Sequence, residues 1–236
     1  MKKLNFWKRI GVILMAIPMF NLAACSAINQ KTSNEVCKHL EEKYGCSFTA
    51  LKIGDRINTS STTLYICLED DPNVIFEVKK YDDGTIKDDY VEGLICNEID
   101  KYVESIFAKY NIACTSNAMI LEHEAINEDD TSLSIVSFFE KYSLDYYYLC
   151  FAVSNENFEE ETLTKALTEI CENIGVDITF SGYIYDKDKY AECSQAIAET
   201  PTFSKYSYES YSPTANVICV LKDGVIERTT FEYYEK

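Results

Sequence analysis

The chain has two histidines, and one of them begins the pattern of a zinc protease. That pattern needs a second histidine four residues later, so that both side chains leave one face of a helix. Asn127 occupies this position after His123, and His39 lies far away in the sequence. Glu122, His123 and Glu124 could bind a metal weakly, but a polar turn facing solvent is favoured. The sequence therefore predicts no metal and no cofactor.

Motifs for phosphate binding and for nucleophilic catalysis are also absent. The chain has eight glycines, and the closest two, Gly175 and Gly182, are too far apart for a P-loop or a dinucleotide-binding loop. No Gly-x-Ser-x-Gly sequence is present, and two histidines argue against a serine triad. A cysteine nucleophile needs a nearby base, and neither histidine lies in an element that supplies one. No catalytic residue is predicted.

Paired carboxylates, as used in glycoside hydrolysis, are the catalytic chemistry that 39 acidic residues leave open. Nothing in the sequence selects a pair. The acidic clusters Glu69-Asp70-Asp71, Asp82-Asp83 and Glu128-Asp129-Asp130 all fall in predicted turns, where solvated loops are favoured. Asp186-Lys187-Asp188 begins like a calcium loop but lacks the glycine and the closing spacing that such a loop needs.

Tyrosine is concentrated in the second half of the chain, which holds twelve of the 18 after residue 119. Successive residues of a strand face opposite sides of a sheet, so runs of tyrosine place some rings on a surface or interface. Ordinary packing in a β-rich core is the favoured interpretation. The alternative is a binding face, because tyrosine combines a large area with a polar tip. Its candidate residues are Tyr206, Tyr208, Tyr211, Tyr146 and Tyr148.

The first 25 residues indicate how the protein is located. Basic residues at positions 2, 3, 8 and 9 precede an apolar run, 10–24, that contains Pro18 and Asn21. This run is too short to favour a membrane span and is typical of a secretory signal. It ends in Leu22-Ala23-Ala24-Cys25. That ending resembles the lipobox of bacterial lipoproteins, although an uncleaved signal anchor is the alternative.

The lipobox resemblance implies cleavage before Cys25 and a lipid on that thiol. Several acyl chains, such as palmitate, would be needed for stable anchoring. Residues 25–33 are then a polar tether, because the eight residues after Cys25 show no helical period and reach about 27 Å at most. The protein is expected at the cell membrane, lipid-anchored and facing outside the cytoplasm. The mature part is similar to uncharacterised lipoproteins of anaerobic Gram-positive bacteria, a resemblance that implies no activity.

The mature chain would be strongly acidic. After residues 1–24 are removed it has 18 basic and 39 acidic residues, a net charge of −21. Such a field repels phosphate backbones, so nucleic acid is not an expected partner. A solvated surface is the favoured interpretation of this acidity. A surface for divalent cations or for a basic partner is the alternative.

Nine cysteines follow Cys25, an odd number with wide and irregular spacing and no Cys-x-x-Cys pair. Several occupy positions where a small apolar side chain is expected, and free cysteine behaves as a small buried hydrophobe. Reduced, buried thiols are favoured over a disulfide framework. Cys37 and Cys46 are the first pair to test. The nine are Cys37, Cys46, Cys67, Cys96, Cys114, Cys150, Cys171, Cys193 and Cys219.

Hydrophobic periodicity and turn signals predict an α+β fold with two layered subdomains, 34–114 and 115–236. The first would be a helix, a three-stranded meander and a second helix: Ser33 as N-cap of a helix to Tyr44, strands Ser47–Asn58, Thr62–Glu69 and Val74–Tyr81, and helix Tyr90–Tyr110. The second would be a βαβ-type unit closed by a hairpin: strand Ala118–Glu122, helix Ser132–Tyr142, strand Asp145–Val153, helix Glu159–Ile174, strand Val176–Tyr185, helix Asp186–Glu199, and strands Asn216–Leu221 and Val225–Tyr234.

These observations predict a membrane-anchored, non-catalytic module that binds a protein or a cell-envelope component outside the cytoplasm. The alternative is a cell-envelope hydrolase that uses two carboxylates. A solute-binding protein is disfavoured, because 212 mature residues are few for a two-lobed clamshell.

Overall fold

The structure is a computed structural model that describes residues 29–54, 60–120, 126, 128–142, 147–174, 177–200, 205–222 and 225–234. Within these residues the chain has two sheets, one of four strands and one of five, together with six α-helices. The predicted α+β class is confirmed. Of the described residues, 29–54, 60–70 and 78–86 form one compact unit, and 71–77 with those from 87 onward form the other.

The first sheet has the strand order β1-β2-β3-β4. Helix α1 covers residues 29–44 of the described chain. It is followed by β1 (Phe48–Ile53), β2 (Ser61–Leu68), β3 (Ile75–Tyr81) and β4 (Ile86–Asp88). The sequence analysis predicted the first three strands and missed β4, because three residues are too few to show an alternating pattern.

Helix α1 ends where the sequence predicts and begins earlier. Gly45 has a positive φ of 75°, and its N–H donates to the Glu41 carbonyl oxygen at 2.9 Å, the geometry of a glycine that ends a helix. Ser33 is not the N-cap, since residues 29–32 are already helical. The predicted polar tether, 25–33, is therefore partly helix, which shortens its reach to about 1.5 Å per helical residue. Val36 and Leu40, one turn apart, are fully buried.

The second sheet has the strand order β5-β6-β7-β8-β9. Its first pair and its last two pairs are antiparallel, and the pair between β6 and β7 is parallel. Helix α4 lies between these two strands in the sequence, so the predicted βαβ connection and the closing hairpin are both present. The elements of this unit are α2 (Tyr90–Lys109), β5 (Cys114–Met119), α3 (Ile135–Tyr142), β6 (Tyr147–Ser154), a 3₁₀ turn (Asn155–Asn157), α4 (Glu160–Ile174), β7 (Ile178–Tyr185), α5 (Lys187–Glu199), α6 (Lys205–Glu209), β8 (Ala215–Lys222) and β9 (Val225–Tyr233).

The second sheet is covered on both faces, because side chains of its strands alternate between two clusters. Phe180 and Ile184 of β7 belong to the large apolar core that also contains the buried faces of α2 and α4. Tyr183 and Tyr185 belong to a smaller cluster with residues of α5 and α6. Gly182 of β7 lies under Phe151, whose ring would be 2.2 Å from a Cβ at that position, so only glycine fits there.

The boundary between the compact units differs from the predicted boundary at Cys114. Helix α2 belongs to the second unit, because its buried side chains Ile95, Ile99 and Val103 pack in the core of the five-stranded sheet. Strand β5 also begins at Cys114, four residues before the predicted strand. Its sequence, Cys-Thr-Ser-Asn-Ala-Met, contains polar residues that gave no strand pattern.

Candidate functional site

The structure describes part of the predicted tyrosine face. Cys25, Tyr146 and the three residues 122–124 lie outside the described residues. Tyr148 and Tyr206 are described only as backbone positions of β6 and α6. Tyr208 and Tyr211 are described fully.

Tyr208 is a core residue, which corrects its prediction as part of a binding face. Its side chain is fully buried and stacks on Tyr183, with ring centroids 4.9 Å apart and an interplanar angle of 15°. The Tyr185 hydroxyl donates to the Tyr208 carbonyl oxygen at 2.8 Å, which fixes the short helix α6 against β7. Tyr211 is half-buried and packs against the same cluster. The alternating tyrosines of β7 were the sequence signal for this second core.

This second core holds its ionisable groups in their neutral forms. Burial raises the pKa of Tyr208 well above its usual value, and it raises the pKa of Tyr185 as well. Burial also raises the pKa of the Cys193 thiol to about 11. Neutral phenols and thiols in a packed cluster favour a structural role for these residues.

Two carboxylates of α2 bind the backbone of β5, which lies at the end of the sheet order. Asp100 accepts a hydrogen bond from Ser116 Oγ at 2.6 Å and another from the N–H of Ala118 at 2.8 Å. Glu104 accepts from the N–H of Ser116 at 2.9 Å. Four residues of helix rise about 6.0 Å and two residues of strand about 6.8 Å, so side chains four apart on α2 meet alternate residues of β5. These contacts satisfy N–H groups that an edge strand leaves open.

Among the carboxyl groups of the described residues, Asp100 has the most strongly raised pKa. Burial is the main cause and the nearby Glu104 carboxylate adds to it, the hydrogen bonds from Ser116 and Ala118 oppose both, and the resulting pKa is about 7. A carboxyl that titrates near pH 7 is a candidate general acid. Here both hydrogen bonds go to the protein's own strand, so the geometry supports a structural role. The sequence signal for this contact was a pair of acidic residues four positions apart on a strongly apolar helix. The sequence analysis did not use it.

Glu128 belongs to an acidic cluster that was predicted to be a solvated loop, and that interpretation is wrong for this residue. Glu128 is 8% exposed. It forms an ion pair with Lys141, accepts from the Tyr142 hydroxyl at 2.5 Å, and accepts from the N–H groups of Asp129 and Asp130, both at 2.9 Å. Lys141, with these hydrogen bonds, lowers the pKa of Glu128 to about 2. The carboxylate therefore fixes its loop to α3.

A groove of about 660 Å³ lies between the end of α2, the outer face of α4 and strand β9. Its lining combines charged and aromatic side chains. Four of its lining residues are glutamates and one is a lysine. The lining residues are Tyr110, Glu160, Glu161, Thr164, Lys165, Thr168, Glu169, Glu172 and Phe231.

The periodicity of α4 explains why one helix supplies most of the groove. Its core face carries Leu163, Leu167 and Ile170, all fully buried. The positions 160, 164, 168 and 172 repeat every four residues on another face, which turns Glu160 and Glu172 toward the groove. The sequence analysis predicted this helix and its apolar stripe, but its polar stripe was not recognised as a surface.

Two of the groove glutamates, Glu161 and Glu169, are paired with lysines. Glu169 accepts from the Tyr110 hydroxyl at 3.1 Å and forms an ion pair with Lys109. Glu161 pairs with Lys165 at 2.7 Å. Lys109 lowers the pKa of Glu169, and Lys165 lowers the pKa of Glu161. Both lysines at the groove are thus already paired, and the glutamates outnumber them.

The nine described cysteines are reduced, and five of them are buried. Burial raises the pKa of Cys67, Cys171 and Cys219, so these thiols remain protonated at neutral pH. Cys37 and Cys46, the pair that the sequence analysis named as the first to test, are both free thiols.

The described part of the chain contains no group of three or more histidine, cysteine, aspartate or glutamate side chains placed to hold a metal ion. None of its helices is both long enough and apolar enough to span a membrane.

Comparison with known proteins identifies a similar fold. No protein-family model matches the chain, and no curated protein matches its sequence. Among solved structures, the chain is similar to a DUF5037 family protein from Ruminococcus gnavus, with a TM-score of 0.67 over 84% of this chain and 94% of that one. The two sequences are 11% identical, so the likeness concerns the fold alone.

Proposed function

We propose that the protein is a membrane-anchored extracytoplasmic lipoprotein whose α4 groove binds a positively charged segment of another protein at the cell envelope. The observation that carries this proposal is the groove itself. It combines an excess of glutamates over lysines with two aromatic rings, those of Tyr110 and Phe231. Lysine and arginine side chains can pair with the carboxylates and lay their aliphatic stems on the rings.

The charge of the groove supports a cationic ligand over an anionic one. Lys109 and Lys165 are held by Glu169 and Glu161, so an incoming anion would have to break an ion pair. Glu172 is exposed at the end of the polar stripe and is available to a ligand. The net charge of −21 expected for the mature chain would also speed the approach of a basic partner.

The proposed anchor supports a partner near the membrane. Cys25 lies four positions before residue 29, which is already helical, so the lipid and the helix would be at most about 14 Å apart. This is shorter than the reach expected of an extended tether. A folded part held so closely would meet other proteins of the membrane surface at a high effective concentration.

The alternative hydrolase receives less support from the same residues. A pair of catalytic carboxyls needs one member that stays protonated near neutral pH. In the groove, Lys109 and Lys165 lower the pKa of Glu169 and Glu161. The carboxyl with a raised pKa is Asp100, which is engaged with β5.

In-cell photocrosslinking tests the proposal. A photoreactive amino acid replaces Thr168, inside the groove, in the full chain, and captured proteins are identified by mass spectrometry. We expect a membrane or envelope protein joined through a segment rich in lysine or arginine. Glu172→Lys in the same chain should reduce the yield by about tenfold, because it reverses one charge of the groove.

Glu209→Lys provides the matched control, since Glu209 is exposed on α6, outside the groove, and the charge change is the same. The control should leave the yield unchanged. The proposal fails if nothing is captured from position 168, or if both charge reversals reduce the yield equally.

A further inference from the structure

Strand β9 is the other end of the five-stranded order and has one strand neighbour, β8, among the described residues. It is nine residues long, and five of these are exposed. An edge of this length presents a row of backbone groups on which another strand can pair. Its closest described neighbour beyond the sheet is α4, which packs on the face of the strand where the Tyr233 hydroxyl donates to Glu160.

The phase of the hydrogen-bond ladder shows which backbone groups point to the open edge. Tyr234 N donates to the Thr214 carbonyl oxygen at 3.0 Å, in register with the pairs between β8 and β9. In an antiparallel ladder, hydrogen-bonded pairs alternate with pairs that are not hydrogen-bonded. Residues 228, 230 and 232 therefore bond to β8, and residues 229, 231 and 233 direct their N–H and C=O groups outward.

The side chains of β9 carry a pattern of charge that is complementary to itself. Arg228, Thr230 and Glu232 share the face opposite α4, since Phe231 and Thr229 between them pack toward the large core and Cys219. Arg228 and Glu232 are exposed, and Thr230 is half-buried. Arg228 and Glu232 are spaced symmetrically about Thr230. An antiparallel copy of the strand centred on Thr230 thus places each Arg228 opposite the Glu232 of the other copy.

The outward backbone groups select the same register. Centring on Thr230 pairs residue 229 with 231 and residue 227 with 233, and the outward groups of 229 and 231 then form hydrogen bonds. The two Arg228–Glu232 pairs fall at positions without backbone bonds, where side chains approach most closely. Centring on Arg228 or on Glu232 would place like charges opposite each other, which is unfavourable.

We propose that β9 is a self-association surface, on which a second copy of this chain pairs antiparallel about Thr230 and joins two five-stranded sheets into one of ten. No other strand of the described chain pairs along this edge, and the charges of Arg228 and Glu232 favour this register over those centred on either residue. This inference concerns a surface distinct from the α4 groove and does not depend on its ligand.

Sedimentation of the full chain in mild detergent, over a range of concentrations, tests the proposal. We expect the native chain to form a dimer reversibly. Arg228→Glu should raise the dissociation constant by about 30-fold, because two attractive cross-strand pairs become repulsive. Glu232→Arg should do the same for the opposite reason.

Two combinations of these substitutions distinguish a loss of strand pairing from damage to the fold. Arg228→Glu and Glu232→Arg in one chain exchange the charges and should restore the dimer. An equimolar mixture of the two single variants should form a heterodimer, since every cross-strand pair is then attractive. Glu227→Arg is the matched control. In the proposed interface residue 227 lies opposite Tyr233 and not opposite a charged residue, so this charge reversal creates no repulsive cross-strand pair. A native chain that stays monomeric, or single variants that dimerise as the native chain does, would overturn the proposal.

Discussion

Asp100 and Glu128 belong to the same compact unit and are bound in similar ways, yet their pKa values move in opposite directions. Each accepts a hydrogen bond from a side-chain hydroxyl and from backbone N–H groups. The pKa of Asp100 is raised to about 7, and that of Glu128 is lowered to about 2.

The difference comes from the balance between burial and neighbouring charge at each group. Glu128 is next to the Lys141 ammonium, which stabilises the ionised form and outweighs the cost of burial. Asp100 is desolvated by α2 and β5 and faces the Glu104 carboxylate, so burial dominates. Hydrogen bonds of similar geometry therefore leave the protonation state open, and it depends on whether a neighbouring cation offsets the cost of burial. The loop at Glu128 should tolerate acid, whereas the contact of α2 with β5 should weaken as the pH rises.

Glu128→Ala should have the largest effect on stability, a loss of about 2–3 kcal/mol at pH 7. The substitution leaves the Tyr142 hydroxyl and the Lys141 ammonium without their shared acceptor. Urea denaturation of the full chain measures the free energy of unfolding. Glu140→Ala, on the exposed face of α3, is the control and should change it by less than about 0.5 kcal/mol. Equal effects of the two substitutions would show that Glu128 fixes nothing.

Asp100→Asn should change how stability depends on pH. Because the folded-state pKa of Asp100 is raised from 3.8 to about 7, the group contributes stability fully below pH 4, and this is lost as the pH rises through about 7. The native chain should lose about 1–2 kcal/mol across this window, after allowance for solvent screening at a carboxyl that is only partly buried. The asparagine variant should lack that slope. Denaturation at several pH values between 4 and 8 compares the two chains, and parallel curves would contradict the assignment.

The sequence predicts the elements around these two sites much better than the sites themselves. The apolar stripe of α2 follows from its helical period, and the helix is found at residues 90–109. The carboxylates of Asp100 and Glu104 gave no signal, because their partners lie on β5, whose polar sequence showed no strand pattern. Glu128 was assigned to solvent because composition alone places acidic runs in loops, and the contacts that bury it come from α3.

The tyrosines give a similar lesson on the other face of the sheet. An alternating pattern predicts which face of a strand a ring occupies, but the segment that covers the face is set by tertiary packing. Tyr208 is buried because the short helix α6 folds onto Tyr183 and Tyr185 of β7. A helix of five residues is too short to show a helical period in the sequence.

Lys141→Met should move Glu128 toward the behaviour of Asp100. Without the ammonium, the pKa of Glu128 should rise from about 2 toward its ordinary value of 4.5. The stability that Glu128 provides is present above pH 4.5 and is lost as the pH falls through the folded-state pKa, so the variant should begin to unfold at a higher pH. We expect a loss of about 1 kcal/mol at pH 7, since the lysine is half-exposed. Acid titration followed by circular dichroism measures the shift, and Lys165→Met, which breaks the exposed pair with Glu161, is the control.

Glu104→Gln should have the smallest effect and should act on Asp100 alone. The amide oxygen of glutamine can still accept the Ser116 N–H, so the contact with β5 is kept, while the negative charge beside Asp100 is removed. The pKa of Asp100 should fall below about 7, because the Glu104 carboxylate is one of the causes that raise it. The loss of stability with rising pH should then be complete at a lower pH, with a change in free energy of less than about 1 kcal/mol. Isotope-edited NMR of the aspartate carboxyls follows this titration directly. If the titration of Asp100 is unchanged in this variant, burial by itself accounts for the contrast with Glu128, and the neighbouring anion has no part in it.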